Sequence, residues 1–168
     1  MRRFAFVFVT LLVVTPAYAQ GADTPAPTIF STINRTDMIA LMQQAGLTAV
    51  SDGTTNEESP WVQGTMSTND TAIIYFYDCE AGVAGPQRHC AHMNFNVYWN
   101  NTKNTDAATL NSYNRLRVFG RGSLSEDGKY VTFDYAMNLE GGATGDMIVK
   151  NLAYFGLALG DFKSIVNP

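Results

Sequence analysis

Four residues able to do chemistry crowd into one short stretch. Cys79, His89, Cys90 and His92 are the chain's only cysteines and its only histidines. Thiolates and imidazoles this close can hold zinc or copper, and two thiols can instead join as a disulfide. The flanking residues say which to expect. Residues 71–79 read Thr-Ala-Ile-Ile-Tyr-Phe-Tyr-Asp-Cys, and residues 90–99 read Cys-Ala-His-Met-Asn-Phe-Asn-Val-Tyr-Trp. Both look like strands, joined by a loop punctuated with glycine and proline. Setting Cys79 opposite Cys90 in an antiparallel hairpin places Tyr77 against His92, Tyr75 against Asn94, and Ile73 against Asn96. The other face then gathers Ile74 and Phe76 with Met93, Phe95, Val97 and Trp99. In that register His89 and His92 fall on opposite faces, which suits a disulfide. Ligation of zinc or copper, and free thiols, are the alternatives.

The same register exposes a second candidate. Tyr75, Tyr77, His92, Asn94 and Asn96 line the hairpin's outer face, where hydroxyl, imidazole and amide groups can bind a partner or, as a sensor would, a small ligand or metal ion. The competing reading is an ordinary solvated sheet face. Asn111 and Asn114, three residues apart on a predicted helix, are further binding candidates, against a role in ending that helix. No catalytic signature occurs: Gly-x-Ser-x-Gly, His-Glu-x-x-His, a phosphate loop and a dinucleotide fingerprint are all missing from the sequence. The expectation is a protein that is not an enzyme and uses no metal or cofactor.

These residues need elements to hold them. Asn34 predicts a helix cap, followed by Met38, Ile39, Leu41, Met42 and Ala45 at helical spacing and a stop at Gly46. Residues 47–50 read as a strand ended by Ser51-Asp52-Gly53, and residues 61–67 as the next strand. Thr105 predicts the cap of a helix reaching about Leu116. Residues 118–124 and 130–139 form a second hairpin around Asp127-Gly128. Thr144 caps a last helix whose Ile148, Leu152, Phe155, Leu159 and Phe162 make an apolar stripe. The order is α-β-β-β-β-α-β-β-α. Adjacent hairpins make an antiparallel sheet, and the amphipathic helices must cover its apolar face. The fold class is α+β in two layers.

The first residues belong to a different job. Arg2 and Arg3 precede an apolar run, and Ala17-Tyr18-Ala19 is a small-x-small site, so residues 1–19 read as a signal peptide cleaved after Ala19. That implies a periplasmic or secreted protein with no membrane insertion once the leader is gone. Losing Arg2 and Arg3 takes the net charge from −4 to −6. An acidic chain without a basic cluster is a poor ligand for nucleic acid. Residues 20–33 read as a flexible lead-in and residues 34–168 as one domain.

An ordered set of motifs now suggests a family. Asn111-Ser-Tyr-Asn114 closes a helix, Phe119 follows, then Asp127-Gly128, an alternating strand to Leu139, Gly141-Gly142 and a final helix with Phe162. This series resembles the YbjN-domain family over roughly residues 36–166, with a cysteine pair upstream as in exported members. Tyr113 stands where the family has Trp, and Val118 where Arg precedes the Phe. The resemblance implies a fold similar to type III secretion chaperones and the label of a bacterial sensory transduction regulator. It implies no catalytic residue. A protein partner, and a homodimer, are the expected assemblies.

Overall fold

The computed structural model describes residues 27–54 and 60–166. The expected signal peptide lies outside the described residues. The elements run β1 (Ile29–Phe30), α1 (Arg35–Gln44), β2 (Thr48–Thr54), β3 (Pro60–Thr65), β4 (Thr71–Cys79) and β5 (Cys90–Asn100). They continue through α2 (Ala107–Leu116), β6 (Arg121–Leu124), β7 (Tyr130–Asn138), β8 (Ala143–Thr144) and α3 (Gly145–Val166). Apart from the two-residue β1 and β8, this follows the order read from the sequence. Six strands form one sheet in the order β2-β3-β4-β5-β7-β6, every neighbour antiparallel. Among the described residues, no helix is long and apolar enough to cross a membrane.

The β4–β5 register is the one expected: Tyr77 pairs with His92, Tyr75 with Asn94, Ile73 with Asn96, and Cys79 with Cys90. Alternation therefore divides the sheet into two faces. Val62, Ile74, Phe76, Met93, Phe95, Val97, Val131 and Phe133 are buried on the inner face, under the helices. α3 completes this core with the predicted stripe of Ile148, Leu152, Phe155, Leu159 and Phe162, extended by Val166. Phe133 stacks between Phe155 and Phe162, with ring centroids at 5.4 and 4.9 Å. Truncating one of these phenylalanines to alanine costs about 3–5 kcal/mol. β6 approaches α3 so closely at Gly122 that any Cβ there would strike the Phe162 ring.

Several local expectations are corrected. Ser51-Asp52-Gly53 does not end β2 but lies inside it, paired with Gln63, Val62 and Trp61. The buried Arg35 holds this segment, its Nη1 lying 3.0 Å from both the Gly53 carbonyl and the Asp52 carboxylate. The lead-in is partly ordered: β1 pairs with β8, and Ile33 bridges to Cys90. Asp106, not Thr105, caps α2, accepting from the Thr109 amide at 2.8 Å. Thr105 instead donates from its hydroxyl to the Val166 carbonyl at the end of α3. Val118 and Phe119 precede β6 rather than belonging to it. Asn34 and Thr144 do cap their helices, accepting from Asp37 and Met147.

Candidate functional site

The sheet's outer face collects more aromatic residues than the hairpin alone shows. Tyr75 stands beside Trp61 of β3 and Asn94 of β5. Asn96 lies in a row running Ser51, Gln63, Ile73, Asn96, Asp134, Arg121 across all six strands. Tyr77, Tyr98 and Tyr130 are 48, 52 and 43 % exposed. Tyr98 meets Tyr130 edge-on, centroids 6.3 Å apart. Trp61 lies over Gly53, whose missing Cβ makes room for the indole. Burial, helped by the neighbouring Tyr98 and Tyr77, raises the Tyr75 pKa above the ordinary phenol value. Its hydroxyl therefore stays a hydrogen-bond donor at neutral pH. Asn94 Oδ1, opposite Tyr75, is buried without a hydrogen-bond partner.

The centre of this face carries one internally matched ion pair. Arg121 Nε sits 3.1 Å from both oxygens of the buried Asp134. At the hairpin's end His92 Nδ1 is 3.7 Å from Asp78 Oδ2. The rest is phenol, indole, amide and hydroxyl. Such groups recognise by hydrogen bonding and aromatic contact.

The cysteine cluster is a structural joint. Cys79 and Cys90 form a disulfide. Cys90 exchanges both backbone hydrogen bonds with Ile33 at 2.9 Å, so it faces Cys79 at a position where the side chains approach most closely. His89 lies between Thr32 Oγ1 at 3.3 Å and Asn34 Nδ2 at 3.5 Å, tying the 80–89 loop to the start of α1. Gln87 donates to Thr36, and the Pro86 carbonyl accepts from the Arg35 amide, in the same seam. With both cysteines bonded to each other, no group of three or more His, Cys, Asp or Glu able to hold a metal exists among the described residues.

No family model matches the chain, and no curated protein or solved structure matches it either. Site residues must therefore be judged on position alone. The structure brings Tyr75, Tyr77, His92, Asn94 and Asn96 together and leaves Asn111 and Asn114 elsewhere. Asn111 is exposed on α2. Asn114 is already engaged: its carboxamide donates to the Gly122 carbonyl at 2.9 Å and accepts from the Gly122 amide at 2.7 Å. It thus caps the open edge of β6 as a neighbouring strand would.

Two groups escaped the reading of the sequence. Trp61, Tyr98 and Tyr130 join the outer face: Tyr98 by the same alternation that places Asn94 and Asn96 there, Trp61 and Tyr130 only through the pairings of β3 and β7. A groove of about 600 Å³ also opens between the end of α2, residues 117–119 and α3. Leu116, Val118, Tyr154 and Leu157 line it and are exposed. Its signal in the sequence is the stretch 151–160, which carries no charge on either side of the helix.

Proposed function

We propose that this is a non-enzymatic, exported binding module of the YbjN type, acting on a protein partner through the outer face of its sheet. The observation that carries the reading is the composition of that face. Tyrosine and tryptophan dominate it, amides and hydroxyls fill between them, and its one Arg–Asp pair is satisfied internally. Rigid aromatic rings give large contact area at low entropic cost, and they anchor most protein interfaces. Ordinary solvated sheet faces carry free lysines and glutamates instead. The disulfide supports export to an oxidising compartment. A chaperone-like or regulatory role accords with a protein that binds without transforming what it binds.

Crosslinking in the native envelope followed by mass spectrometry tests this directly. The unaltered chain should capture a specific partner, and Tyr77→Ala with Tyr98→Ala should lose most of it. Both side chains are about half exposed, so the fold should not change. Recovery of the same proteins with both versions, or of none, sinks the reading.

One observation favours a second reading, a small-ligand sensor on the same face: the unpartnered Asn94 Oδ1. A tight ligand must raise the melting temperature. A metabolite screen by thermal shift that gives a flat response removes this reading.

A further inference from the structure

α3 shows two stripes. One is buried in the core; on the other side Lys150, Tyr154, Leu157 and Asp161 follow at steps of four, three and four, all exposed. Tyr154 is 58 % and Leu157 71 % exposed. A solvated helix face normally carries charge along its length. Here apolar side chains fill the centre, with a positive charge at one end and a negative charge at the other. Leu116 and the fully exposed Val118 continue the apolar surface across the adjoining groove. Contiguous apolar patches of this kind mark contact surfaces.

The stripe is complementary to itself in reverse. Two α3 helices packed antiparallel about a two-fold axis between Phe155 and Gly156 would bring Lys150 of each copy to Asp161 of the other. The same axis sets Tyr154 against Leu157 twice. Lys150 and Asp161 lie about 16 Å apart along the helix, three turns, so both charges flank one apolar centre.

We propose that the occupant of this surface is a second copy of the chain, bound through an antiparallel α3 pair. Charge singles out this occupant. Among the described residues Lys150 has no carboxylate partner in its own chain. Asp161 has, among those residues, the exposed Arg117 at 3.4 Å. A parallel pair would set lysine against lysine, and a foreign apolar segment has no reason to carry matching charges three turns apart. A second α3 supplies them automatically. The surface lies on the helix layer, away from the sheet's outer face, so either proposal can fail without the other.

Sedimentation velocity on the exported, disulfide-bonded chain, from about 1 to about 100 µM, provides the test. The chain should show a concentration-dependent dimer. Leu157→Glu should be monomeric throughout, with an unchanged circular dichroism spectrum, since Leu157 is on the surface. Lys150→Asp and Asp161→Lys each create two like-charge contacts in a homodimer and should weaken association roughly tenfold. Mixing these two variants in equal amounts should restore dimers, because every contact becomes attractive in the heterodimer. A native chain that stays monomeric, a Leu157→Glu chain that still dimerises, or a mixture no tighter than its separate components overturns the proposal.

Discussion

The β4–β5 hairpin is closed at both ends, by different chemistry. At one end the Cys79–Cys90 disulfide joins the two strands within the sheet. At the other, Asp70, just before β4, accepts from Trp99 Nε1 at 3.1 Å and from Lys163 Nζ at 2.9 Å through each carboxylate oxygen. That contact ties the sheet to α3. With nine residues of β4 between them, the two closures stand about 30 Å apart. One is covalent, insensitive to pH, and lies where loop and lead-in meet. The other is ionic, insensitive to reductant, and holds the two layers together. The same hairpin therefore depends on redox state at one end and on protonation at the other.

The largest effect belongs to the covalent closure. Replacing Cys79 and Cys90 by serine should lower unfolding stability by about 3 kcal/mol, the chain-entropy value for a loop of about a dozen residues. The fold should survive, because Ile33 still pairs with Cys90's backbone position and the core is untouched. Urea unfolding of the native chain with reductant should drop to the same value. A stability indifferent to both treatments would remove the covalent half of the comparison.

The ionic closure should be next. Asp70→Asn weakens the bonds that one carboxylate oxygen accepts and loses the one at the other, because an amide nitrogen cannot accept from Lys163, at a cost of about 2 kcal/mol. Lys163, a third exposed, can turn to water, which limits the loss. Burial opposes the charged form of Asp70, but hydrogen bonds from Thr68, Lys163 and Trp99 outweigh it and hold its pKa below 3.8. A carboxyl whose folded pKa is depressed stabilises fully above its unfolded pKa and loses that contribution as pH falls through the folded value. The native chain should therefore lose stability below about pH 4 more steeply than Asp70→Asn. Asp106 and Asp127, also lowered by their own hydrogen bonds, titrate equally in both chains and cancel from the difference. The double-serine variant should keep the native acid slope. Urea midpoints measured between about pH 2 and about pH 6 check all three statements.

The two closures also differ in how far the sequence announces them. Alternation along 71–79 and 90–99 and the position of two cysteines demand one register, so the disulfide end was legible, outer face included. Asp70 and Lys163 lie 93 residues apart, and no local pattern joins them. The same limit hid part of the candidate site. Trp61 and Tyr130 reach the face only through the pairings of β3 with β4 and of β5 with β7, and strand order is a property of the whole chain. Ser51-Asp52-Gly53 has the composition of a turn, yet Arg35 and the indole of Trp61 hold it extended. Asn114 was recognisable as special but not as the cap of a β-edge, because the strand it serves lies across a loop. Val118 reads as a strand residue by type; only its position after α2 leaves it bare.

The smallest effect probes α3 next to the ionic closure. Gly156 and Gly160 both interrupt the helix interior, where glycine costs roughly 0.5–1 kcal/mol relative to alanine. Their surroundings differ. A Cβ at Gly160 meets nothing within 4 Å, whereas one at Gly156 sits 3.0 Å from the Met66 methyl carbon. Gly160→Ala should therefore recover most of that cost in urea unfolding. Gly156→Ala should recover less, because Met66 must first give way on the β3–β4 turn that leads to Asp70. If α3 is held to the sheet as a unit by Lys163, the gain at Gly160 should persist in the double-serine background, since sites this far apart add. A gain that vanishes when the disulfide is removed would mean that the two ends of the hairpin are coupled through the sheet and do not act independently.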